Sequence, residues 1–393
     1  MAKKKPVSVE RPTLESILDQ IETLDSRTET LELSVPRRLT HLGRLVCGCY
    51  PLAVVIDRML QKGFEPVGGE AEEDGKRLNF QRTTKKRSSA VRTAAPPIDV
   101  IQRVPALARF AKTTIRLHPR RERVADPAAS KLGGQFLWPR SEPWPRCDDH
   151  RHQTGVDGRE SPTGGVSPIL VGAIQLNARD FPTLPFKPGC DLLQLLWCPT
   201  TEDAHDDAFE YSKVFTYWRN SQEIVDPLPA APLPDFGETI RNHFPISCGF
   251  HSEEVREFPG QEILQKLART KGLRKALSSD KVLRERYEGD LSACPSMKLG
   301  GYPYWVQNDD TPQCVCGATM EFLLQLGDWE YTNIDSSQRW IPRSHRWTVK
   351  EWRTNPVADG LLRPPLFDFG HLVYYFFICR KCPDRPVRFV TQS

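Results

Sequence analysis

Four of the eleven cysteines fall into two close pairs, Cys314-x-Cys316 and Cys379-x-x-Cys382. Each pair lies beside a segment that reads as a strand or a turn, which is how zinc-ribbon knuckles are built. Four thiolates would close a tetrahedral structural zinc site and leave no open position for catalysis. Independent buried or free thiols are the alternative reading. A second set, Cys147, His150, His152 and Cys198, could also be drawn as a Cys/His site, against which a degenerate, metal-free version is the simpler reading. The start, Met1-Ala-Lys-Lys-Lys-Pro, is basic and is followed by polar residues, not by an apolar stretch. With no secretory signal and an odd cysteine count, thiols or metal ligation are expected in place of a disulfide framework, in a cytoplasmic protein.

Other chemistry is harder to find. No Gly-x-Ser-x-Gly elbow and no His-Glu-x-x-His occur. Asp148-Asp149-His150, His205 and Asp206-Asp207 sit in polar, loop-like sequence, so solvated turns are their default and an unrecognised hydrolase is the sharper alternative. The Gly133-Gly134 and Gly300-Gly301 pairs are not phosphate loops, because Lys131 and Lys298 precede the glycines. They read instead as turns with positive φ or a close backbone approach, anchored by Trp138 and Trp305. The net charge of +4 excludes a polyanion binder acting as a whole, so nucleic-acid contact would need a local patch. The basic run Lys76–Arg92 is one candidate. Only Phe80 interleaves it, and a solvated linker is the plainer reading. The longest apolar run, Leu372–Cys379, is far too short to span a membrane as a helix.

The elements that would position these residues come in two copies. Lys131-Leu-Gly-Gly-Gln-Phe-Leu-Trp138 is repeated as Lys298-Leu-Gly-Gly-Tyr-Pro-Tyr-Trp305. Cys147 follows Trp138 by nine residues, and Cys314 follows Trp305 by nine. Apolar segments closed by Gln-Leu, with Gln175 and Gln325, come next. Gly189 and Gly370 then each precede by nine residues the cysteine that ends an apolar run, Cys198 and Cys379. A series of landmarks in one order argues for internal duplication.

The fold class expected is α+β and β-rich: an internally duplicated, mostly antiparallel sheet module with pseudo-two-fold symmetry and a small N-terminal helical region. Strands are expected at 113–117, 169–176, 192–198, 214–218, 320–326, 372–379 and 387–391. The helical spacing of Leu14, Ile17, Leu18, Ile21 and Leu24 predicts a first helix, with further helical patterns at about 37–46 and 52–61. A basic helix is expected near 261–277; a solvated face over the sheet is its usual meaning, and contact with a polyanion the alternative. The divisions that follow are a helical arm over 1–66, a charged linker over 67–112, a first repeat over 113–236 and a second over 237–393. Thirty-four prolines suit extended segments, and the Pro-rich stretch Asp226–Phe236 reads as a semi-rigid connector between the copies.

These residues resemble the YwqG-like family, a bacterial domain family of unsettled function. The likeness is carried by Ser130-Lys-Leu-Gly-Gly-Gln-Phe-Leu-Trp-Pro139, Ile174-Gln175, Pro188-Gly189, Gly300-Gly-Tyr-Pro-Tyr-Trp-Val-Gln307, Cys314-Val-Cys-Gly317 and Leu323-Leu-Gln325. It covers about residue 113 to the end, and the first cysteine pair is one residue tighter than the family's Cys-x-x-Cys. The programmed-cell-death-protein-two family, whose members escort a newly made ribosomal protein, shares the duplicated pattern. The resemblance implies a β-rich module that holds another macromolecule and has no established catalysis. The expected partner is a client protein, shielded as by an assembly chaperone or an immunity protein that neutralises a toxin. An RNA- or DNA-associated factor using Lys76–Arg92 is the alternative.

Overall fold

The computed structural model describes residues 14–24, 30–36, 59, 64–72, 75–82, 93–120, 124, 126–149, 165–199, 213–232, 248–267, 271–295, 297–327, 338–340 and 373–392. The protein is β-rich α+β, and the strands named here pair antiparallel throughout. The sheet strands are β4 (Lys112–Arg120), β5 (Lys131–Leu132), β6 (Val171–Asn177), β7 (Leu192–Trp197), β8 (Val214–Arg219), β9 (Gly249–Glu257), β10 (Lys298–Leu299), β11 (Glu321–Gly327), β12 (Val373–Ile378) and β13 (Val387–Gln392). Six form a sheet in the order β13-β12-β11-β10-β4-β9, and four form a sheet in the order β5-β6-β7-β8. A pair of hydrogen bonds between Leu132 and Cys248, of 2.9 and 3.0 Å, ties the second sheet to the chain entering β9.

The registers reveal the duplication. Lys131 faces Gln175 and Lys298 faces Gln325. The next ladders each carry one bulge, at Ala173 between Gly172 and Ile174 and at Leu323 between Phe322 and Leu324, two residues before the glutamine in both copies. Each copy, however, lends its leading strand to the other. β4 pairs with β10 of the second copy, whereas Cys248, at the head of β9, pairs with Leu132 of the first. Leu132 has Cys248 as partner and its equivalent Leu299 has Ile115, so Cys248 and Ile115 correspond. Three residues further along each strand stand His251 and His118, which face each other in the β4–β9 ladder on the pseudo-two-fold axis.

β7 and β12 are buried along their whole length because both faces are covered. Leu193, Leu195 and Trp197 share one core with Tyr374, Phe376 and Ile378, and the Trp197 and Tyr374 rings lie 5.8 Å apart. The two sheets are thus joined along one line and packed against each other elsewhere.

The N-terminal part differs from the expected helical arm and linker. α1 (Leu14–Glu22) is present, but β1 (Thr30–Pro36), β2 (Phe64–Glu72) and β3 (Gly75–Arg82) form a three-stranded sheet in the order β1-β3-β2. The acidic run and the start of the basic run, which look like a solvated linker along the chain, are the two arms of a hairpin, with Glu70 opposite Arg77. That register is invisible to composition. Ile17, Ile21, Leu33 and Phe64 join the main core. The expected helices at 37–46 and 52–61, apart from Met59, and residues 83–92 of the basic run lie outside the described residues.

The copies also differ by an insertion. Ten residues separate β4 from β5, but forty separate β9 from β10. The forty hold α3 (Gln261–Lys266), α4 (Lys271–Ser279) and α5 (Lys281–Arg286), where one helix was expected. α3 ends because Leu267 turns extended, at φ −72° and ψ 133°, and Asp280 caps α5 by accepting from the Val282 and Leu283 amides. With α2 (Val100–Arg103) and the turn Pro105–Phe110 they bury Leu107, Leu264, Leu273, Leu277, Leu283 and Tyr287 in a second core.

Candidate metal centre

The turn between Gln313 and Thr319 is tight because the Cys314 amide donates to Ala318 O at 2.8 Å and the Gly317 amide to Cys314 O at 2.8 Å. Gly317 takes φ +79°, a conformation that costs glycine nothing. The second turn joins β12 to β13. There the Cys379 amide donates to Pro386 O at 3.0 Å and the Arg385 amide to Cys382 O at 3.1 Å, with Arg385 at φ +49°. Adjacent strands present these turns side by side.

The four sulfurs converge. The Cys314, Cys316, Cys379 and Cys382 Sγ atoms all lie within 4.8 Å of one another, with Cys314 to Cys382 at 3.7 Å and Cys316 to Cys379 at 3.6 Å. Zinc–thiolate bonds of about 2.3 Å give a tetrahedron whose edges are about 3.8 Å. A disulfide would need about 2.05 Å. The spacing is therefore that of a tetrathiolate metal site and is compatible with structural zinc. Among the described residues, no other group of three or more His, Cys, Asp or Glu side chains converges this way.

The surroundings fit such an ion. Cys314 and Cys379 are buried in a small core with Met320, Tyr375, Phe377 and the flank of Trp305, while Cys316 is exposed. The Cys379 thiol is held down at about 7, chiefly by the Cys382 amide, and Cys382 is pushed up to about 12, first by its contact with Cys316. Sulfurs this close cannot all ionise without a cation between them, and a divalent metal removes that conflict. Arg380, Lys381, Arg385 and Arg388 lie in or beside the second turn. They would offset part of the net negative charge of a tetrathiolate centre.

The first copy keeps only half of this set. Cys147 and Cys198 are buried together with Phe136, Trp138 and Leu196, at the positions of Cys314 and Cys379. Their ladder bonds match too, Cys147 N to Pro168 O at 2.8 Å and Cys198 N to Lys213 O at 2.8 Å. Twenty residues now stand between Cys147 and Pro168 where three stand between Cys314 and Ala318, so no second cysteine follows closely. Asp149 is buried, and Asp148 pairs with Lys213 at 2.6 Å. His150, His152, His205, Asp206 and Asp207 lie outside the described residues.

The repeated motif frames both halves. Gly133, Gly134, Gly300 and Gly301 take φ of +52°, +71°, +65° and +78°. Gln175 Oε1 accepts from the Leu137 amide and Gln325 Oε1 from the Tyr304 amide, each at 2.9 Å, while their Nε2 atoms donate to the carbonyls of Pro127 and Ala129, and of Pro295. Trp138 packs on Tyr217 at 4.9 Å under the Arg219 guanidinium at 4.0 Å, and Trp305 packs tilted against Tyr375 at 4.5 Å and stacks on Phe377 at 5.7 Å. The Pro-rich connector does more than span the copies: Leu228 N donates to Trp138 O at 2.7 Å, which clamps it onto the first tryptophan.

A buried ion pair escaped the sequence reading. Lys298 and Glu257, both fully buried, meet at 3.0 Å, and Glu257 also accepts from the Cys294 and Tyr302 amides at 2.9 and 2.5 Å. β9 carries too many charges to read as a strand with a buried end, so Glu257 gave no signal. The register relation between the leading strands carries Glu257 onto Val124 in the first copy. Lys131 is also buried and, among the described residues, donates to Pro127 O at 2.9 Å, and burial holds its pKa down at about 8.

Fold and site together define a duplicated antiparallel β module with exchanged leading strands and a tetrathiol cluster at one end. The chain belongs to the family described as domain of unknown function (DUF1963), whose model matches residues 130–340. That match takes in both Gly-Gly motifs, the helical insertion and the Cys314 turn, and ends before Cys379. No curated protein matches the chain. Among the described residues, no helix is long and apolar enough to cross a membrane.

Proposed function

We propose that the chain is a non-catalytic binding module of the YwqG-like kind. One zinc ion held by Cys314, Cys316, Cys379 and Cys382 fastens the outer turns of its second copy, and that end holds a client protein. The role is that of an assembly chaperone or an immunity protein, in the cytoplasm, where thiols stay reduced. The observation that carries the reading is the sulfur geometry. Four thiolates complete the coordination of zinc, so the ion offers no position to a substrate or an attacking water and contributes stiffness alone.

What is stiffened is a surface. Val315 stands 87% exposed at the tip of the first turn, beside exposed Cys316, with Arg380 and Lys381 on the neighbouring turn. An apolar residue held rigidly outward among cations loses little entropy on contact, which is what a binding anchor requires. The partner that fits is an acidic protein surface with an apolar recess.

The test compares tagged full-length protein with the double variant Val315→Asp/Lys381→Glu, which leaves all four cysteines in place. With equal zinc in both, a client recovered one to one by the wild type and lost from the variant supports the reading. Recovery of no stoichiometric protein by the wild type, or equal recovery by both, contradicts it.

A further inference from the structure

The chain's formal net charge is +4. Residues 271–286, covering α4 and α5, hold six cations (Lys271, Arg274, Lys275, Lys281, Arg284 and Arg286) against two acids, Asp280 and Glu285. That short segment alone accounts for the whole net charge, and the rest of the chain balances to zero. The segment also lies in the insertion that breaks the symmetry of the two copies. The forty-residue insertion as a whole holds eight cations against five acids, so most of the net charge sits at one of the places where the two copies differ.

We propose that the α4–α5 face is a binding surface for the phosphate backbone of nucleic acid. Leu273, Leu277 and Leu283 turn inward and are buried, so Arg274, Lys275, Lys281 and Arg284 are left exposed. The nearby acids do little to cancel them. Asp280 caps α5 and is paired with Arg103 at 2.7 Å, Asp290 is buried and paired with Arg286 at 2.9 Å, and Glu288 is spent on the Gln261 amide. Glu285, Glu262 and Asp99 remain. Arg284 reaches back to Ser278 O at 3.2 Å and so links the two helices into one surface.

The choice of nucleic acid over an acidic protein follows from what the face lacks. Protein interfaces are anchored by aromatic or large apolar side chains near their centre. Here the leucines are spent on the core, and among the described residues of this face only Val282, 42% exposed, is a large apolar side chain turned outward. Spaced cations without aromatics suit phosphates, which position a duplex without reading its bases. With no ring to stack on, single strands have no advantage.

Full-length protein is titrated into a fluorescein-labelled 24-base-pair RNA duplex, a DNA duplex of unrelated sequence and a 20-residue polyglutamate peptide, and anisotropy is read from 50 to 200 mM salt. Four phosphate contacts give a slope of log K on log salt of about −3.6, hence roughly a hundredfold weakening across that range, similar for both duplexes. The variant R274Q/K275Q/K281Q/R284Q is expected to bind at least tenfold more weakly at 50 mM with a flattened slope. K275Q/K281Q, which touches no hydrogen bond between the helices, is expected to show about half the slope change. Substituting Lys85, Lys86 and Arg87 by Gln is expected to leave the slope intact. Duplex affinity unchanged in the helix variants, loss only in the 85–87 variant, or binding of polyglutamate in preference to both duplexes would each overturn the proposal.

Discussion

His118 and His251 face each other across the β4–β9 ladder with ring centroids 6.4 Å apart, and the paired features of the two copies are arranged symmetrically about them. Each histidine belongs to the leading strand of one copy; β4 pairs within the sheet of the second copy, and Cys248 just before β9 bonds to Leu132 of the first. The copies are related as the subunits of a symmetric dimer that exchanged a strand and were then joined.

That relation predicts how the chain behaves when cut. Residues 237–393 expressed alone lack β4, which lies between β10 and β9, and residues 1–236 lack β9, the partner of β4, and Cys248, the partner of Leu132. Neither is expected to melt cooperatively alone. Mixed from denaturant, they are expected to recover one transition as a one-to-one complex, measured by circular dichroism and light scattering. A cooperative transition in either fragment alone would show that the copies fold independently.

Gly301 tests the close approach at the motif. A Cβ there would collide with the Glu257 carboxylate and stand 2.8 Å from Thr114 Cβ, at φ +78°. Gly189, at φ +79°, has no atom within 4 Å of the same position. Gly189→Ala should therefore cost only the backbone conformation, about 1 kcal/mol. Gly301→Ala should cost that and the disruption of the buried pair, about 3 kcal/mol or more by denaturant unfolding. Equal costs at the two sites would remove the steric account.

Lys131 and Lys298 occupy equivalent buried positions and should respond to the same substitution with opposite signs. Lys131 has its pKa held down at about 8 by burial. Below pH 8 it is charged in both folded and unfolded states, and its burial penalty is fully present. Between about 8 and 10.5 the unfolded chain binds the extra proton, so stability rises with pH through that window. Lys131→Met should raise stability at pH 7 by up to about 3 kcal/mol and flatten the rise. Pro127 O keeps the Gln175 donor at 2.8 Å. Lys298→Met strands Glu257 as a buried charge and should cost about 3–5 kcal/mol. Denaturant melts of the three proteins at pH 7 and pH 10 decide it; losses of similar size for both lysines would contradict the pairing described.

Much of the architecture was legible because the duplicated motifs lie where the chain has little freedom. The Gly-Gly pair needs left-handed backbone, and the glutamine must satisfy a backbone donor and at least one backbone acceptor at once, so these types recur. The apolar strands β6, β7, β11 and β12 were legible for the same reason that they are buried on both faces. β9 was not, because Glu253 is answered by His118 and Thr93, and Glu257 by Lys298, partners far away in sequence. The hairpin β2–β3 was obscured by its charge runs, because composition does not show that they lie on two paired strands. The strand exchange leaves no trace in a single sequence, because a motif records its own copy and not the neighbour it pairs with. The cysteines were legible as two pairs; only the fold brings the pairs together.

The most direct measurement is cobalt substitution of the metal-free, reduced protein, followed by absorption. A site built by Cys314, Cys316, Cys379 and Cys382 should take up one equivalent of cobalt, with intense d–d bands of a tetrahedral centre and thiolate charge-transfer bands, displaced by one equivalent of zinc. Trp305, in the core beneath the cysteines, should lose fluorescence as cobalt binds. Cys382→Ser should weaken and shift these bands, while Cys198→Ser should leave them unchanged. An octahedral spectrum, no uptake at one equivalent, or equal sensitivity to Cys198→Ser would contradict the account.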